Sequence, residues 1–381
     1  MKPSRRPLIF VLLLLVITYS CVTNPVTGRT ELQLISEQQE IAIGTRNFPF
    51  QQQIQGGVYT LDPGVNAYIN QVGQTLARVS DRPHLPYEFV VLNDSSWNAW
   101  AMPGGKIAIN RGLLLALRNE SELAAVLAHE IVHAAARHSA QQMERGVWMQ
   151  AGVSGLSGLA GSDYRNLVET AGIIGLNLGM LRYSRAAEVE ADYFGMLYMI
   201  RSGYDAVGAV TLQEMFAENR VSAGGWLASH PASVERVRRN RETLERNQGE
   251  AGYLGEAEFR VQMRNLRQQA PAYELYDQGV EALNEDPAKA LRLSMEARRM
   301  EPREAVFYGL SAQAHQRMNN SRAALQAWDQ AIERNPEWFL FWLERGRLHA
   351  AEGRRDAARR DLERSMTLLP TETARDALAA L

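Results

Sequence analysis

A period of 34 residues runs through the last third of the chain. Pro302, Pro336 and Pro370 follow one another at that spacing. The same register aligns Ala290, Ala324 and Ala358, and it also aligns Ala297, Ala331 and Ser365. A period of this length is typical of helix pairs in which each pair buries one face against the next. We therefore predict an all-α repeat domain of about three repeats over residues 272–381, capped by Thr371–Leu381.

A second pattern, His129, Glu130 and His133, lies in a segment of helical character. Asn119 and Glu122 have the spacing of a capping pair, and apolar residues follow at helical intervals. Histidines at positions i and i+4 share one helix face and can bind one metal ion with a glutamate beside it. The alternative is a helix with two surface histidines.

Glu188 and Asp192 share a helix face in the same way. Glu188 is a candidate third ligand of a catalytic zinc, and Asp192 is a candidate acceptor that orients a ligand imidazole. Ala136 and Ser139 stand where a metzincin has glycine and histidine, so the third ligand must come from elsewhere, which favours Glu188. The alternative is a charged, solvated helix face.

These motifs occur together with Asn98–Gly105, His230 before Pro231, Arg236 and Asn24–Arg29. Over roughly residues 24 to 245 the chain resembles the HtpX/BepA-type gluzincin metallopeptidases, in their lipoprotein form with C-terminal tetratricopeptide repeats. The resemblance implies one Zn²⁺ per chain on His129, His133 and Glu188. It also implies peptide-bond hydrolysis with Glu130 as the general base on zinc-bound water.

Three further side chains have uncertain roles. The resemblance implies that His230 approaches the zinc as a regulatory ligand, whereas the alternative is a residue at the start of a helix. Arg236 either hydrogen-bonds a carboxylate of the site or lies on a helix surface. His138 comes five residues after His133 and is expected at a frayed, solvated helix end.

One predicted strand bears on substrate binding. Asn98, Ala99, Trp100, Ala101 and Met102 are expected to pair with Lys106–Asn110 through a turn at residues 103–105. An edge strand beside the metal would bind an extended peptide through backbone hydrogen bonds. The alternative is an ordinary hairpin that packs its tryptophans into the core.

The first residues predict location. Basic residues precede the apolar run Leu8–Ile17, and the chain's single cysteine is Cys21. Residues 1–20 therefore resemble a lipoprotein signal peptide, with Cys21 as the lipidated residue, and the alternatives are a cleaved soluble form or an uncleaved signal anchor. Residues 151–181 are expected to form a helix packed in the core rather than a membrane hairpin. The net charge of −2 predicts that the protein does not bind nucleic acid.

The predicted fold class is α+β and mainly α-helical. A zincin-like peptidase domain with a small sheet (residues 21–250) is followed by a connecting helix or linker outside the core (251–271) and by the repeats. The predicted function is zinc endopeptidase cleavage of unfolded or misassembled envelope proteins. The protein is expected to face the periplasm as a membrane-anchored lipoprotein, with the outer membrane as its site and the repeats available to an envelope partner. The alternatives are a chaperone or assembly factor with a blocked or vestigial site, and a repeat-based adaptor.

Overall fold

The structure is a computed structural model that describes residues 21–145, 183–219, 230, 234–247 and 251–381. The predictions for the signal peptide, for residues 151–181 and for Pro231 lie outside these residues. Among the described residues, no helix combines the length and the apolar character that a membrane span requires.

The N-terminal body combines two small sheets with helices. Its strands are β1 (Cys21–Thr23), β2 (Thr30–Leu32), β3 (Glu88–Leu92), β4 (Ala99–Met102) and β5 (Lys106–Asn110). Its helices are α1 (Glu37–Ile54), α2 (Pro63–Ala77), α3 (Arg111–Ala116), α4 (Glu120–Ala135), α5 (138–145), α6 (Arg185–Arg201), α7 (Val207–Glu218) and α8 (Val234–Arg246). The predicted fold class is confirmed.

The larger sheet has the strand order β3-β5-β4, with β3 parallel and β4 antiparallel to β5. The hairpin predicted at residues 98–110 is therefore present, with Met102 opposite Lys106. Gly104 and Gly105 make its turn with φ angles of 76° and 80°, a backbone region that favours glycine. β4 lies at one edge of the sheet, next to α4.

The helix α4 that carries the His129 motif is buried along its whole length. Asn119 caps its first turn by accepting a hydrogen bond from the Glu122 backbone N–H. The helix ends at Ala135, and Arg137 then takes a positive φ of 63°. Arg137 is held there by an ion pair with the buried Glu40 of α1 and by a 2.6 Å hydrogen bond to the Ile35 carbonyl. A new helix direction therefore starts at residue 138.

The C-terminal part consists of helix pairs. They are α10 (Arg264–Ala282) with α11 (Pro287–Met300), α12 (Ala305–Arg317) with α13 (Ser321–Arg334), and α14 (Phe339–Ala351) with α15 (Arg355–Leu368), followed by α16 (Glu372–Ala379). The alanines and the serine that repeat with the 34-residue period are all buried: Ala290, Ala297, Ala324, Ala331, Ala358 and Ser365. The small side chains of the period thus lie in the buried interior of the repeats.

The segment 251–271 was expected outside the core, and that expectation is wrong. It forms α9 (Glu256–Gln262) and the first half of α10, which runs through residue 271 without a break. Phe259, Met263 and Leu266 are fully buried and belong to the same core cluster as the helices of the N-terminal body. Phe259 lies on α9, Met263 lies between the two helices and Leu266 lies on α10, so the apolar pattern spans a helix junction and is hidden among polar neighbours.

The repeats and the N-terminal body share a packed interface. The Arg111 guanidinium lies 3.4 Å from the centre of the Tyr273 ring. The Tyr59 hydroxyl lies 2.5 Å from Gln269 Oε1, and Trp338 Nε1 donates to the Gln53 carbonyl at 3.1 Å. The first and the third helix pair therefore both contact the N-terminal body.

Phe259→Ala tests whether α9 belongs to the core. Because Phe259 is fully buried, we expect its truncation to lower the free energy of unfolding by about 3–5 kcal/mol. Val261→Ala on the same helix is the matched control, since Val261 is 52% exposed and should change stability by less than about 0.5 kcal/mol. Chemical denaturation measures the free energy of unfolding of both variants. If both variants lose equally little stability, α9 is not part of the core.

Candidate metal centre

The site forms where α6 crosses α4 at close range. Glu188, Asp192 and Gly195 follow at intervals of four and three residues and face α4 together. A Cβ at Gly195 would lie only 3.3 Å from the His129 backbone nitrogen, so glycine permits this approach. Ser184 caps α6 by accepting from the Ala187 N–H, which fixes the helix start one turn before Glu188.

Four buried side chains converge on one point. His129, His133, Glu188 and His230 each offer a ligand atom, and these atoms all lie within 4.8 Å of one another. His129 Nε2 is 3.1 Å from His133 Nε2 and 3.2 Å from His230 Nδ1. Glu188 Oε1 is 2.9 Å from His230 Nδ1 and 3.6 Å from His133 Nε2. The predicted ligands are thus brought together, and His230 joins them.

The donor set fits a tetrahedral cation. Ligand atoms bound to zinc at about 2.0–2.1 Å lie about 3.4 Å from one another, close to the separations between these atoms. Burial, together with the neighbouring imidazoles, lowers the pKa of His133 well below its usual range, so its imidazole is neutral and offers a lone pair. Two imidazoles and a carboxylate, with a third imidazole beside them, can hold a metal ion.

Asp192 and Arg236 support the donors from behind. Asp192 Oδ1 is 3.1 Å from His129 Nδ1, as expected of an acceptor that orients a ligand imidazole. Arg236 donates to both Asp192 oxygens at 2.7 Å, and its third nitrogen lies 2.9 Å from Glu188 Oε2. Burial acts to raise the pKa of Asp192, but the charge of Arg236 outweighs it and holds that pKa well below its usual range. Arg236 therefore binds carboxylates of the site and does not lie on an exposed helix surface.

Glu130 has the environment of a proton carrier. Its carboxyl is fully buried, with Oε1 3.5 Å from His230 Nε2. Burial raises its pKa to about 8, against the opposing charge of His129. A carboxyl group whose pKa lies near neutrality can both accept and release a proton there.

His138 is not at a solvated helix end, and that expectation is wrong. It is 4% exposed, and its Nδ1 lies 2.9 Å from His133 Nδ1. The expectation assumed an unbroken helix, whereas the turn at Arg137 rotates His138 back towards His133. Tyr183 was also missed, and its ring stacks on His133 with a centroid distance of 3.8 Å. Neither residue has a local sequence signal. The position of His138 depends on the turn at Arg137, and that turn is held by Glu40, which is distant in sequence.

The predicted substrate strand lies beside the site but is covered. Trp100 packs edge-on against Phe48 and donates to Gln55, and it faces a separate small core together with Met102. Ala99 and Ala101 face the core that contains α4, and Asn98 accepts from the Asn110 N–H. This pairing directs the Ala101 carbonyl to the outer edge, where Ser139 Oγ donates to it at 3.3 Å and Tyr183 Oη lies at 3.5 Å.

Comparison with known proteins places this site in context. Residues 63–244 match the model of Peptidase family M48. The chain is 35% identical to the mitochondrial metalloendopeptidase OMA1 of Schizosaccharomyces pombe, over 46% of this chain and 52% of that protein. It is 30% identical to the beta-barrel assembly-enhancing protease of Escherichia coli, over 57% of this chain and 46% of that protein. The chain therefore spans about half the length of the relatives it matches.

Arg236→Met tests the buried ion pairs. Removing the guanidinium leaves Asp192 and Glu188 as buried carboxylates without their cation, and we expect a loss of about 3–5 kcal/mol in the free energy of unfolding. Arg238→Met, whose ion pairs with Glu235 and Glu242 are exposed, is the control and should leave stability unchanged. Denaturation of both variants after chelator treatment measures the difference, and equal stability would contradict the assigned role of Arg236.

Proposed function

We propose, from the match of residues 63–244 to the model of Peptidase family M48, that the protein is a zinc-dependent endopeptidase. One observation carries the proposal: His129, His133 and Glu188 converge within 4.8 Å, and the carboxyl group of Glu130 is buried beside them. A purely structural zinc site does not require a glutamate next to its first ligand. The proposed ligands are His129, His133 and Glu188, with Asp192 and Arg236 as their supports.

Zinc, when bound, polarises a peptide carbonyl and lowers the pKa of a coordinated water to about 7. Glu130, buried beside the proposed ligands, would take a proton from the attacking water and deliver it to the leaving amine. Asp192 accepts from His129 Nδ1, which leaves the lone pair of His129 Nε2 directed at the cluster.

The proposed substrates are unfolded or misassembled proteins of the bacterial envelope. An extended segment would add to the edge of β4, where the backbone groups of Ala99 and Ala101 face outward. The hydroxyls of Ser139 and Tyr183 must release the Ala101 carbonyl before a substrate strand can pair there. One relative is named a metalloendopeptidase and the other a beta-barrel assembly-enhancing protease, and these names support a protease with substrates connected to β-barrel assembly. Lipidation at Cys21, a periplasm-facing outer-membrane location and a partner of the repeats belong to the same proposal.

His230 is proposed to hold the enzyme closed. Its Nδ1 is 3.2 Å from His129 Nε2 and 2.9 Å from Glu188 Oε1, and the side chain is fully buried. In this position it completes a fourfold donor set and takes the place that a substrate carbonyl or water needs. Cleavage would then require His230 to leave the cluster.

Glu130→Gln tests the catalytic proposal. Because glutamine is isosteric and leaves the three ligands in place, we expect one zinc per chain and a loss of at least about 100-fold in casein hydrolysis. Glu285→Gln on the exposed surface of the repeats is the matched control and should keep full activity. Zinc content is measured by metal analysis of both variants. Unchanged biological activity in Glu130→Gln would favour the chaperone or adaptor function over the peptidase.

His230→Ala tests the closed state. If the open form is a minor population of about 10% or less, removing His230 should raise casein hydrolysis about tenfold or more while the zinc content stays the same. His84→Ala, which removes an exposed histidine, is the control and should have no effect. Equal or lower activity in His230→Ala, with zinc retained, would mean that His230 does not restrain the enzyme.

A further inference from the structure

A line of polar contacts leads from His133 to the protein surface. His138 Nδ1 is 2.9 Å from His133 Nδ1, and His138 Nε2 is 3.3 Å from Glu190 Oε2. Glu190 in turn accepts from Arg29 at 2.6 Å. His133 and His138 are both buried, whereas Arg29 is exposed. The line therefore begins at a proposed zinc ligand and ends at a solvated cation.

The contacts allow one consistent assignment of protons. The Glu190 carboxylate can only accept, so His138 carries its hydrogen on Nε2 and offers a lone pair at Nδ1. His133 must then donate from Nδ1, which leaves the lone pair of its Nε2 directed at the cluster. From this geometry we infer that His138, held by Glu190, is a positioning residue that fixes the tautomer and the ring orientation of His133.

The inference rests on the proposed zinc function and extends it. Helix α6 then serves both histidine ligands: Asp192 holds His129 directly, and Glu190 holds His133 through His138. Glu188, which precedes both on the same helix, is itself the proposed third ligand. The positive φ of Arg137 is what brings His138 into this line, since an unbroken helix would carry it away from His133.

The N-terminal turn gains a role from the same contacts. Asn24 donates to the Ala136 carbonyl at 2.9 Å, at the end of α4. The Asn24 Oδ1 accepts from the Val26 backbone N–H. Arg29, at the other end of the turn, reaches Glu190. The segment Asn24–Arg29 thus contacts both the end of α4 and the acceptor that holds His138. The exposed Arg29 contributes less than the buried members of the line.

His138→Leu and His138→Asn separate positioning from packing. Leucine fills the space without an acceptor, and we expect it to weaken zinc binding about 10–100-fold. The asparagine oxygen stands close to the position of Nδ1 and can accept from His133, so His138→Asn should bind zinc within a few-fold of the wild type. Zinc affinity is measured on the full chain by competition with a chromophoric chelator, with His315→Leu in the repeats as the matched control.

Glu190→Ala gives a second test at a side chain that is more exposed than His138. Loss of the acceptor should weaken zinc binding in the same direction as His138→Leu, while thermal unfolding of the chelator-treated protein stays close to the wild type. Wild-type affinity in His138→Leu or in Glu190→Ala would overturn the inference, as would equal weakening in His138→Leu and His138→Asn. A wild-type chain that binds no zinc would instead overturn the proposed function, so the two failures are distinguishable.

Discussion

Buried charge at the crossing of α4 and α6 is the constraint on which the site depends. Glu130, Glu188 and Asp192 are all removed from water, and an uncompensated buried carboxylate costs several kcal/mol. Arg236 offsets two of the three, because its guanidinium contacts both Asp192 and Glu188. Three imidazoles then face the same point as Glu188, and a divalent cation there would satisfy their lone pairs and its charge together. The absence of a Cβ at Gly195 lets the helices approach this closely, since a Cβ there would lie 3.3 Å from the His129 backbone nitrogen.

Contacts made within one helix were predictable, whereas contacts that depend on a turn were not. The pairs His129/His133 and Glu188/Asp192 follow from the geometry of an unbroken helix, so the sequence spacing was sufficient for both. His138 violates that geometry because Arg137 adopts a left-handed backbone conformation. The ion pair with Glu40 that holds Arg137 joins residues 97 positions apart. No local pattern carries that information.

The junction between the N-terminal body and the repeats was likewise predictable only in part. The 34-residue period predicted the helix pairs because small residues recur wherever neighbouring helices pack. The segment around Phe259 was misjudged because its polar composition obscured three buried apolar residues at the junction of α9 and α10. Those residues, and the contacts of Arg111 with Tyr273 and of Tyr59 with Gln269, make the first repeat helix part of the core of the N-terminal body. The modules are therefore not joined by a free linker.

This packing gives the repeats a physical connection to the candidate substrate strand. Trp338 and the Phe339 backbone contact Gln53, near the end of α1. Two residues on, Gln55 accepts a hydrogen bond from Trp100 of β4 at 2.9 Å. The same strand carries the Ala101 carbonyl, whose outer side is held by Ser139 and lies beside Tyr183. The end of α1 therefore contacts both the third helix pair and β4, the strand that carries the Ala101 carbonyl.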